Sequence, residues 1–482
     1  MQHQNENAAE YTTRLLSGSA YRRGILGAFE LLNSLHSDRY KAKSPENRLD
    51  LDRIALHAIQ SVTISILFAS AAIPIWLMQM FFFILVLDGR GTIFFFFLLN
   101  FVGSLLTAYE LFYLRWVIAR RFLKHSYNPN FQPDLPFYSA FLQPLIVFLK
   151  RHILQPEPAQ NVITFGRYQP FLGAGGQIFA WTLAIDRKPA EDQPKEPARI
   201  HIPIQKFYKA VDQELATLNL PNIEKLSRLF VDGFEMDVDG KILVAFKSSP
   251  ETTLVEEEIW TLGYKNLRDE SRTYRLYRYT DTARDQVLSY FIRFYNLGSI
   301  TFIEASAHIL PCIDRQRFSL TPVLEDSKTS RFIKMLGIAL LLFILLPGGY
   351  ILVALAYLGV FAWNVILWRL NDFKQLRAVN LQEEYNYGLM QTFRESIAAR
   401  NYESYYGVQD LTMYWKSIEQ AVLDGTVKLL KQYGVDVSQF EQVANTIVNN
   451  GIMVSGGKFS ANQVAAGSRA SAVVNNSQFQ PM

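Results

Sequence analysis

Stretches without a charged side chain define two regions of the chain, and residues 61–87 and 92–109 form the first region. A helix rises about 1.5 Å per residue, so residues 61–87 exceed the roughly 30 Å core of a bilayer. Residues 92–109 reach a full span if the helix continues past Glu110 toward Trp116. The intervening segment 88–91 contains glycine and favours a tight turn. The pattern therefore predicts an antiparallel pair of membrane helices.

A third uncharged stretch, residues 335–368, is too long for a single crossing as one helix. It contains Pro347-Gly348-Gly349, which is a turn signal. The pattern predicts two antiparallel segments, 335–346 and 350–368. The first of them is short, so it either is re-entrant or relies on flanking basic side chains that reach the interface. Three to four membrane segments follow, and we favour about four segments in two hairpins.

Basic residues flank both hairpins on each side. Because Lys and Arg are enriched in the cytoplasmic flanks of membrane helices, each hairpin is expected to enter from the cytoplasm and return to it. The large polar segments would then be cytoplasmic, and a single cysteine, Cys312, agrees with a reducing compartment. The flanking residues are Arg39, Lys41, Lys43, Arg48, Arg53, Arg115, Arg120, Arg121, Lys124, Arg331, Lys334, Arg369, Lys374 and Arg377.

The polar part between the hairpins mixes two periodicities, and this predicts an inserted cytoplasmic α+β domain. Strands are predicted at 161–165, 177–185, 199–204, 241–246, 273–279, 287–295 and 299–307, and helices at 206–218 and 223–230. Asp239-Gly240 predicts a hairpin turn. Helical spacing returns after the second hairpin as a C-terminal helical region. The predicted domains are 1–53, 54–118, 119–330, 331–369, 370–450 and 451–482.

The two ends of the chain allow alternatives. Residues 11–36 have apolar side chains at helical spacing opposite Arg22 and Arg23, so they suit either a membrane surface or packing on the protein itself. The tail after Gly451 is rich in small polar residues, and it allows disorder or short strands.

The composition agrees with a chain that has both membrane and polar parts, and it does not indicate a binding partner. Of the 482 residues, 49% are hydrophobic and 19% are charged, against roughly 25% charged in an average soluble domain. This apolar content excludes general disorder. The net charge of +4 is too small to indicate nucleic acid by itself.

No catalytic constellation is visible in the sequence. The seven histidines are scattered without ligand spacing, and no nucleophile elbow, Walker A loop or dinucleotide fingerprint is present. Asp237 and Asp239 are better explained by a turn than by a metal, and Cys312 is expected to be inert. We therefore expect no enzyme activity, no metal site and no cofactor.

A glycine-rich segment, residues 165–176, is the first candidate for ligand binding. Glycines let backbone N–H groups approach an anion, and Arg167 and Tyr168 add charge and a stacking surface. A compact turn between two strands is the plainer interpretation.

Arginines and tyrosines alternate in a second candidate segment, which suits single-stranded nucleic acid because cations hold phosphates and aromatic rings stack on bases. On a strand, Tyr274 and Arg278 would share one face, and Arg275 and Tyr277 the other. Neighbouring acidic residues such as Asp281 offer the alternative that these arginines only form ion pairs. The candidate ligand-binding residues are Arg167, Tyr168, Arg272, Tyr274, Arg275, Tyr277 and Arg278.

Two asparagines, Asn100 and Asn364, lie at membrane depth in the predicted spans. Polar groups there face protein or water, so they either line a pore or join helices by hydrogen bonds. Membrane hairpins joined to a cytoplasmic domain suit a ligand-gated pore. Four spans are too few to enclose an ion path, so a pore requires a homo-oligomer of three or more copies, with a tetramer favoured.

The layout resembles the membrane effectors of bacterial phage-defence systems and is most similar to the effector of Hailong-type systems. The features that carry the resemblance are the paired hairpins, the inserted domain with its FGRYQPFLGAGG loop, and the tail GIMVSGGKFSANQVAAGSRASAVV. The resemblance implies a homo-oligomeric ion channel in the bacterial inner membrane. Its cytoplasmic domain would bind single-stranded oligodeoxyadenylate made by a partner nucleotidyltransferase. Bound DNA would keep the channel shut, and its loss would open the channel and kill the infected cell.

Two other classes of protein stay open. A membrane-anchored scaffold needs only interfaces, and nothing in the sequence excludes it. A membrane-bound hydrolase or transferase would need a clustered acid, base or metal site, which the sequence does not display.

Overall fold

The computed structural model describes residues 8–36, 40–43, 49–89, 93–123, 128, 143–144, 146–150, 161–189, 200–234, 236, 241–243, 248–265, 271–380, 385–449, 452–455 and 458–461. The chain forms two compact units. The helical unit comprises Met1–Tyr40, Asn47–Glu157 and Asp314–Glu384, and the sheet unit comprises Lys41–Glu46, Pro158–Ile313 and Tyr385–Met482.

Helices occur in both units. In chain order they are α1 (Ala8–Arg22), α2 (Gly24–Leu35), α3 (Leu51–Leu87), α4 (Ile93–Ala108), a π-helical segment (Tyr109–Leu114), α5 (Arg115–Arg120), α6 (Ile204–Thr217), α7 (Glu256–Lys265), α8 (Arg315–Phe318), α9 (Thr321–Leu324), α10 (Lys328–Leu345), α11 (Tyr350–Asn380), α12 (Phe393–Ser396), α13 (Tyr405–Gln432) and α14 (Ser438–Asn449).

Three helices of the described part are long and apolar enough to cross a membrane: Leu51–Leu87, Ile93–Arg120 and Tyr350–Asn380. The second runs through the π-helical segment, which confirms that the helix continues past Glu110. Helix α10 is not one of the three, because Lys328, Arg331 and Lys334 occupy its first two turns. Large apolar side chains exposed along these three helices include Leu77, Phe81, Phe94, Phe97, Leu352 and Trp363, and Ile344 is exposed on α10.

The predicted break in the third uncharged stretch is confirmed. Helix α10 ends at Leu345 and α11 begins at Tyr350, with Gly348 in the left-handed region at φ 78°. Gly103 of α4 lies against the ring of Tyr350, where a Cβ atom would come within 2.4 Å of a ring carbon. Such a small residue lets the two helices approach closely.

The two N-terminal helices pack within the helical unit. Ile25, Phe29 and Leu32 of α2 are buried, and the Oγ of Ser61 on α3 donates a hydrogen bond to the carbonyl of Ala20 at 2.8 Å. Packing on the protein itself is therefore the alternative that the structure adopts for residues 11–36.

The sheet unit is built on a six-stranded sheet of order β1-β3-β4-β5-β6-β2. Strand β1 is parallel to β3, and the other neighbouring pairs are antiparallel. The strands are β1 (Val162–Phe165), β2 (Gly176–Asp186), β3 (Ile223–Asp232), β4 (Ser271–Asp281), β5 (Gln286–Leu297) and β6 (Ile300–Leu310), and a separate hairpin pairs β7 (Ile452–Ser455) with β8 (Lys458–Ala461). The hairpin shows that part of the small-residue tail forms strands.

Two sequence predictions in this unit are wrong. Residues 223–230, predicted as a helix, form most of β3, because a short run with apolar side chains every third residue fits both structures and pairing with β1 and β4 decides. Residues 200–203, predicted within a strand, lead into α6 with extended Pro203 at the N-cap. The predicted turn 237–240 and part of the predicted strand 241–246 lie outside the described residues.

Helices cover one face of the sheet. The core on this face joins α6 and α13 to strands β2, β4, β5 and β6, with Trp415, Phe207 and Tyr277 among its fully buried side chains. Helix α7 extends the cover, and its carbonyl at Ile259 accepts a hydrogen bond from the Thr273 hydroxyl at 2.7 Å. The opposite face carries a much smaller apolar cluster, which leaves room for charged residues.

Candidate anion-binding site

Charged side chains collect on the sheet face opposite the helices, which we call the arginine face. The register of β3, β4, β5 and β6 puts these side chains in phase, because directly paired antiparallel residues point to the same side. The charged members of the arginine face are Arg228, Arg272, Arg278, Arg293, Glu224 and Glu304, together with Asp186 and Asp232 at the ends of β2 and β3.

Two carboxylates pair with three of the guanidinium groups. Arg278 donates from Nε to Glu224 at 2.9 Å. Glu304 lies 3.5 Å from both Arg272 and Arg293, and it also accepts a hydrogen bond from the Tyr274 hydroxyl at 2.9 Å. Arg272, Arg278 and Arg293 therefore each have a carboxylate counter-charge on this face.

Arg228 is the arginine without a counter-charge. No hydrogen bond or ion pair joins it to another described residue, and its Nε is buried. Burial, with a further contribution from Arg278, lowers the pKa of Arg228 to about 9. An uncompensated buried charge is unfavourable, and a phosphate-like anion is the group that a guanidinium fork best accommodates.

The glycine-rich segment lies on the same face. The ring of Phe171 stacks on Phe291 at 4.3 Å and meets Phe230 and Tyr274 edge-on at 5.2 Å each. It also contacts His308 at 4.9 Å. The segment therefore covers one end of the arginine face with aromatic packing.

The backbone of this segment already binds an anion, but the anion belongs to the protein. Glu395 of α12 accepts hydrogen bonds from Gly173 N at 2.9 Å and Gly175 N at 3.2 Å. Its other oxygen accepts from the Thr392 backbone at 3.0 Å, which completes a capping box. These N–H groups therefore stabilise a compact turn, which is the plainer interpretation of the segment.

Arg167 and Tyr168 extend from the start of the same segment. Both are exposed, and Tyr168 is 95% accessible. An exposed tyrosine ring beside an arginine provides the stacking surface and charge expected for a nucleotide contact. These two residues stay candidates on geometry.

The Arg/Tyr segment on β4 is divided between the two faces, as its alternation predicts. Arg272, Tyr274 and Arg278 belong to the arginine face. Tyr277 is fully buried on the helical face and donates to Asp212 at 2.9 Å. Arg275 lies there over the neighbouring rings of Tyr208 and Trp260, at 5.7 Å from each centroid. The structure does not bring the five residues together into one surface.

Burial also limits what the β4 tyrosines can contact. Burial, together with Glu304, raises the pKa of Tyr274, and burial with Asp212 raises that of Tyr277. Both hydroxyls are therefore neutral donors to internal carboxylates, and neither ring is an open platform for a base.

Sequence reasoning missed Arg228, Arg293 and Glu304. Arg228 was assigned to a helix, and only as a strand residue does it align opposite Tyr274. Arg293 and Glu304 are direct partners on β5 and β6, and the turn after Leu297 could have indicated that register.

Asn100 and Asn364, the two asparagines of the predicted spans, both join helices within one chain. Asn100 donates to the carbonyl of Phe343 at 3.0 Å and accepts from Gly348 N at 2.7 Å, so it ties α4 to the turn between α10 and α11. Asn364 accepts from Asn33 at 2.9 Å. Their proposed role in a pore stays a prediction.

No group of three or more histidine, cysteine or carboxylate residues suited to a metal ion occurs among the described residues.

Comparison with known proteins identifies the family of the chain. No curated protein and no solved structure shows significant similarity to the chain. A family model described as the AbeC-like domain matches residues 180–462, more than half of the chain, and this match includes α11 as well as most of the sheet. This family is associated with abortive infection, which suggests a protein of phage defence. The chain belongs to the AbeC-like family.

Proposed function

We propose that this protein is a membrane effector of abortive-infection phage defence, acting as an oligomeric ion channel of the bacterial inner membrane. Family membership supports the defence role, and the long apolar helices support membrane association. The effector is not an enzyme. Channel opening kills the infected cell, and the resemblance to Hailong-type effectors motivates this mode of action.

Four membrane segments in two hairpins, with both termini and the sheet unit in the cytoplasm, are the proposed topology. Basic flanks on each hairpin support it. Three or more copies, with a tetramer favoured, surround the ion path. Reporter fusions after residue 482 and within 187–199 should both report the cytoplasm, whereas one external report would require an odd number of crossings.

The ligand is a phosphate-bearing nucleotide, for which we propose single-stranded oligodeoxyadenylate supplied by a partner nucleotidyltransferase. The observation that carries this proposal is the uncompensated guanidinium of Arg228 among three other arginines. Arg228 and its neighbours hold phosphate groups, while the exposed ring of Tyr168 is placed to stack on a base.

Binding can be tested by titrating labelled oligodeoxyadenylate into the full-length protein at two salt concentrations. Loss of one phosphate contact in Arg228→Met should weaken binding and reduce the salt slope by about 1. Tyr168→Ala should weaken binding with little change in slope. Arg284→Met is the matched control, because Arg284 is already paired with Asp281 and Asp410. Equal affinity in all four proteins would move the ligand away from this face.

Channel activity is tested separately by single-channel recording of the purified protein in a bilayer. Conductance that changes on adding or removing the oligonucleotide supports the proposal. A silent bilayer despite ligand binding would favour a membrane-anchored scaffold, and turnover of a nucleotide would favour a membrane-bound enzyme.

A further inference from the structure

The second long apolar helix changes its hydrogen-bonding pattern in the middle. Helix α4 ends at Ala108, the π-helical segment occupies Tyr109–Leu114, and α5 resumes at Arg115. Such segments are rare, and they occur frequently at functional sites because they insert one extra residue into a helix. A specific contact is needed to hold this arrangement.

The contact is an ion pair buried inside the helical unit. The Nε and Nη2 atoms of Arg115 both lie 2.6 Å from an Oε1 of Glu110, and each residue is only 3% exposed. Arg115 also donates to the hydroxyls of Ser61 at 3.0 Å and Ser65 at 2.6 Å. Tyr357 of α11 donates to the second oxygen of Glu110 at 2.8 Å. Both charges are therefore satisfied by groups from α3 and α11.

The spacing of this pair matches the π-helix. In an α-helix, residues five apart are rotated by about 500°, so Glu110 and Arg115 would point about 140° away from each other. The i→i+5 hydrogen bonds of a π-helix instead bring residues five apart close together. The ion pair and the π-helical segment therefore depend on each other.

We infer that the Glu110–Arg115 pair is a conformational latch that holds this helix in its π-helical register. Without the pair, the segment relaxes to an α-helix, and the wide turn that absorbs the extra residue is lost. The part that follows then rotates by about 100° relative to α4. Ala119, which is fully buried, would turn away from its present packing. This inference concerns helix register alone and is independent of channel activity.

Cysteine labelling in proteoliposomes can test the latch with Ala119→Cys as the reporter in the full-length chain. Native Cys312 is buried, and the chain without the reporter gives the background. Glu110→Gln should accelerate maleimide labelling about tenfold, as expected when a buried site opens. Glu110→Leu/Arg115→Met removes both charges without leaving either one unpaired, so it should fold and label equally fast.

Two further variants make the result specific. Deletion of Phe112 removes the extra residue, so an α-helix would then present position 119 at its present angle, and labelling should stay slow. Tyr357→Phe keeps the ion pair and removes only one hydrogen bond to Glu110, so its labelling should stay slow. Slow labelling in the Glu110→Leu/Arg115→Met variant would overturn the inference, because the register would then be independent of the pair. Fast labelling in the deletion variant would overturn the predicted rotation.

Discussion

Replacing Arg228 by methionine should stabilise the free protein while weakening its response to anions. Methionine keeps a long unbranched side chain against the sheet and removes the charge that has no partner there. The two effects have opposite signs, and this combination is expected for a binding residue rather than for a residue that only supports the fold.

The magnitude follows from the perturbation of the guanidinium. A pKa lowered from 12.5 to about 9 corresponds to an upper limit of about 5 kcal/mol against the charged form, at roughly 1.4 kcal/mol per pKa unit. Arg228 retains partial solvent contact, so screening reduces this to about 1–2 kcal/mol of unfolding free energy. The thermal midpoint should rise by roughly 2–8 °C.

Thermal unfolding of the full-length protein in detergent measures this effect, with and without inorganic pyrophosphate as the anion. Arg278→Met is the matched control, because it removes the ion pair with Glu224 and should lower the midpoint. Pyrophosphate should raise the wild-type midpoint more than that of Arg228→Met. A lower midpoint for both variants, with the same response to pyrophosphate, would refute the reasoning.

Three further predictions concern the glycine-rich segment and its support. Gly175→Ala should lower the unfolding free energy by at least about 2 kcal/mol. Gly175 has φ 82°, and a Cβ atom there would lie 2.3 Å from the Ile309 carbonyl oxygen. Gly176→Ala is the control in the same melting assay, because the space around Gly176 is open. Glu395→Gln should cost about 1–2 kcal/mol by weakening two charge-assisted bonds to backbone N–H groups, and equal denaturant midpoints would contradict this. Burial lowers the pKa of His308 from 6.5 to about 4. Between pH 6.5 and 4 the unfolded chain therefore binds one proton more than the folded chain. The unfolding free energy should fall by on the order of 3 kcal/mol as the pH drops over this range. His308→Gln should flatten this pH dependence in melting curves taken at several pH values.

Predictions succeeded where one physical signal was sufficient. Charge-free length located the long helices, and the Pro347-Gly348-Gly349 signal located the break before Tyr350. Strand-like runs of residues located β2, β5 and β6 in the sheet. Each of these signals is local, so the sequence contains it directly.

Predictions failed where distant partners decide the outcome. The spacing of residues 223–230 fits a helix, but β1 and β4 supply the hydrogen bonds that make it a strand. From the sequence alone, Tyr277 suits a stacking platform for a base. In the structure α6 covers its ring, and Asp212 of α6 accepts the hydrogen bond from its hydroxyl. The candidate site in the structure differs from the predicted one for the same reason, because strand register determines the face of the sheet on which each arginine lies.

The arginine face and the internal carboxylate of Glu395 together limit where a ligand can act. The N–H groups of Gly173 and Gly175 are occupied by Glu395, so a phosphate would have to displace a carboxylate that is already well bonded. Arg228 involves no such exchange, because the anion would meet a guanidinium that lacks a partner. Binding there removes an existing electrostatic penalty, whereas binding at the glycines would create one. A double variant therefore separates the two positions. If Arg228 is the anchor, Glu395→Gln should leave the pyrophosphate response intact, and adding Arg228→Met should abolish it. If the response instead increases in Glu395→Gln and persists without Arg228, the anion competes with Glu395 for the glycine-rich segment.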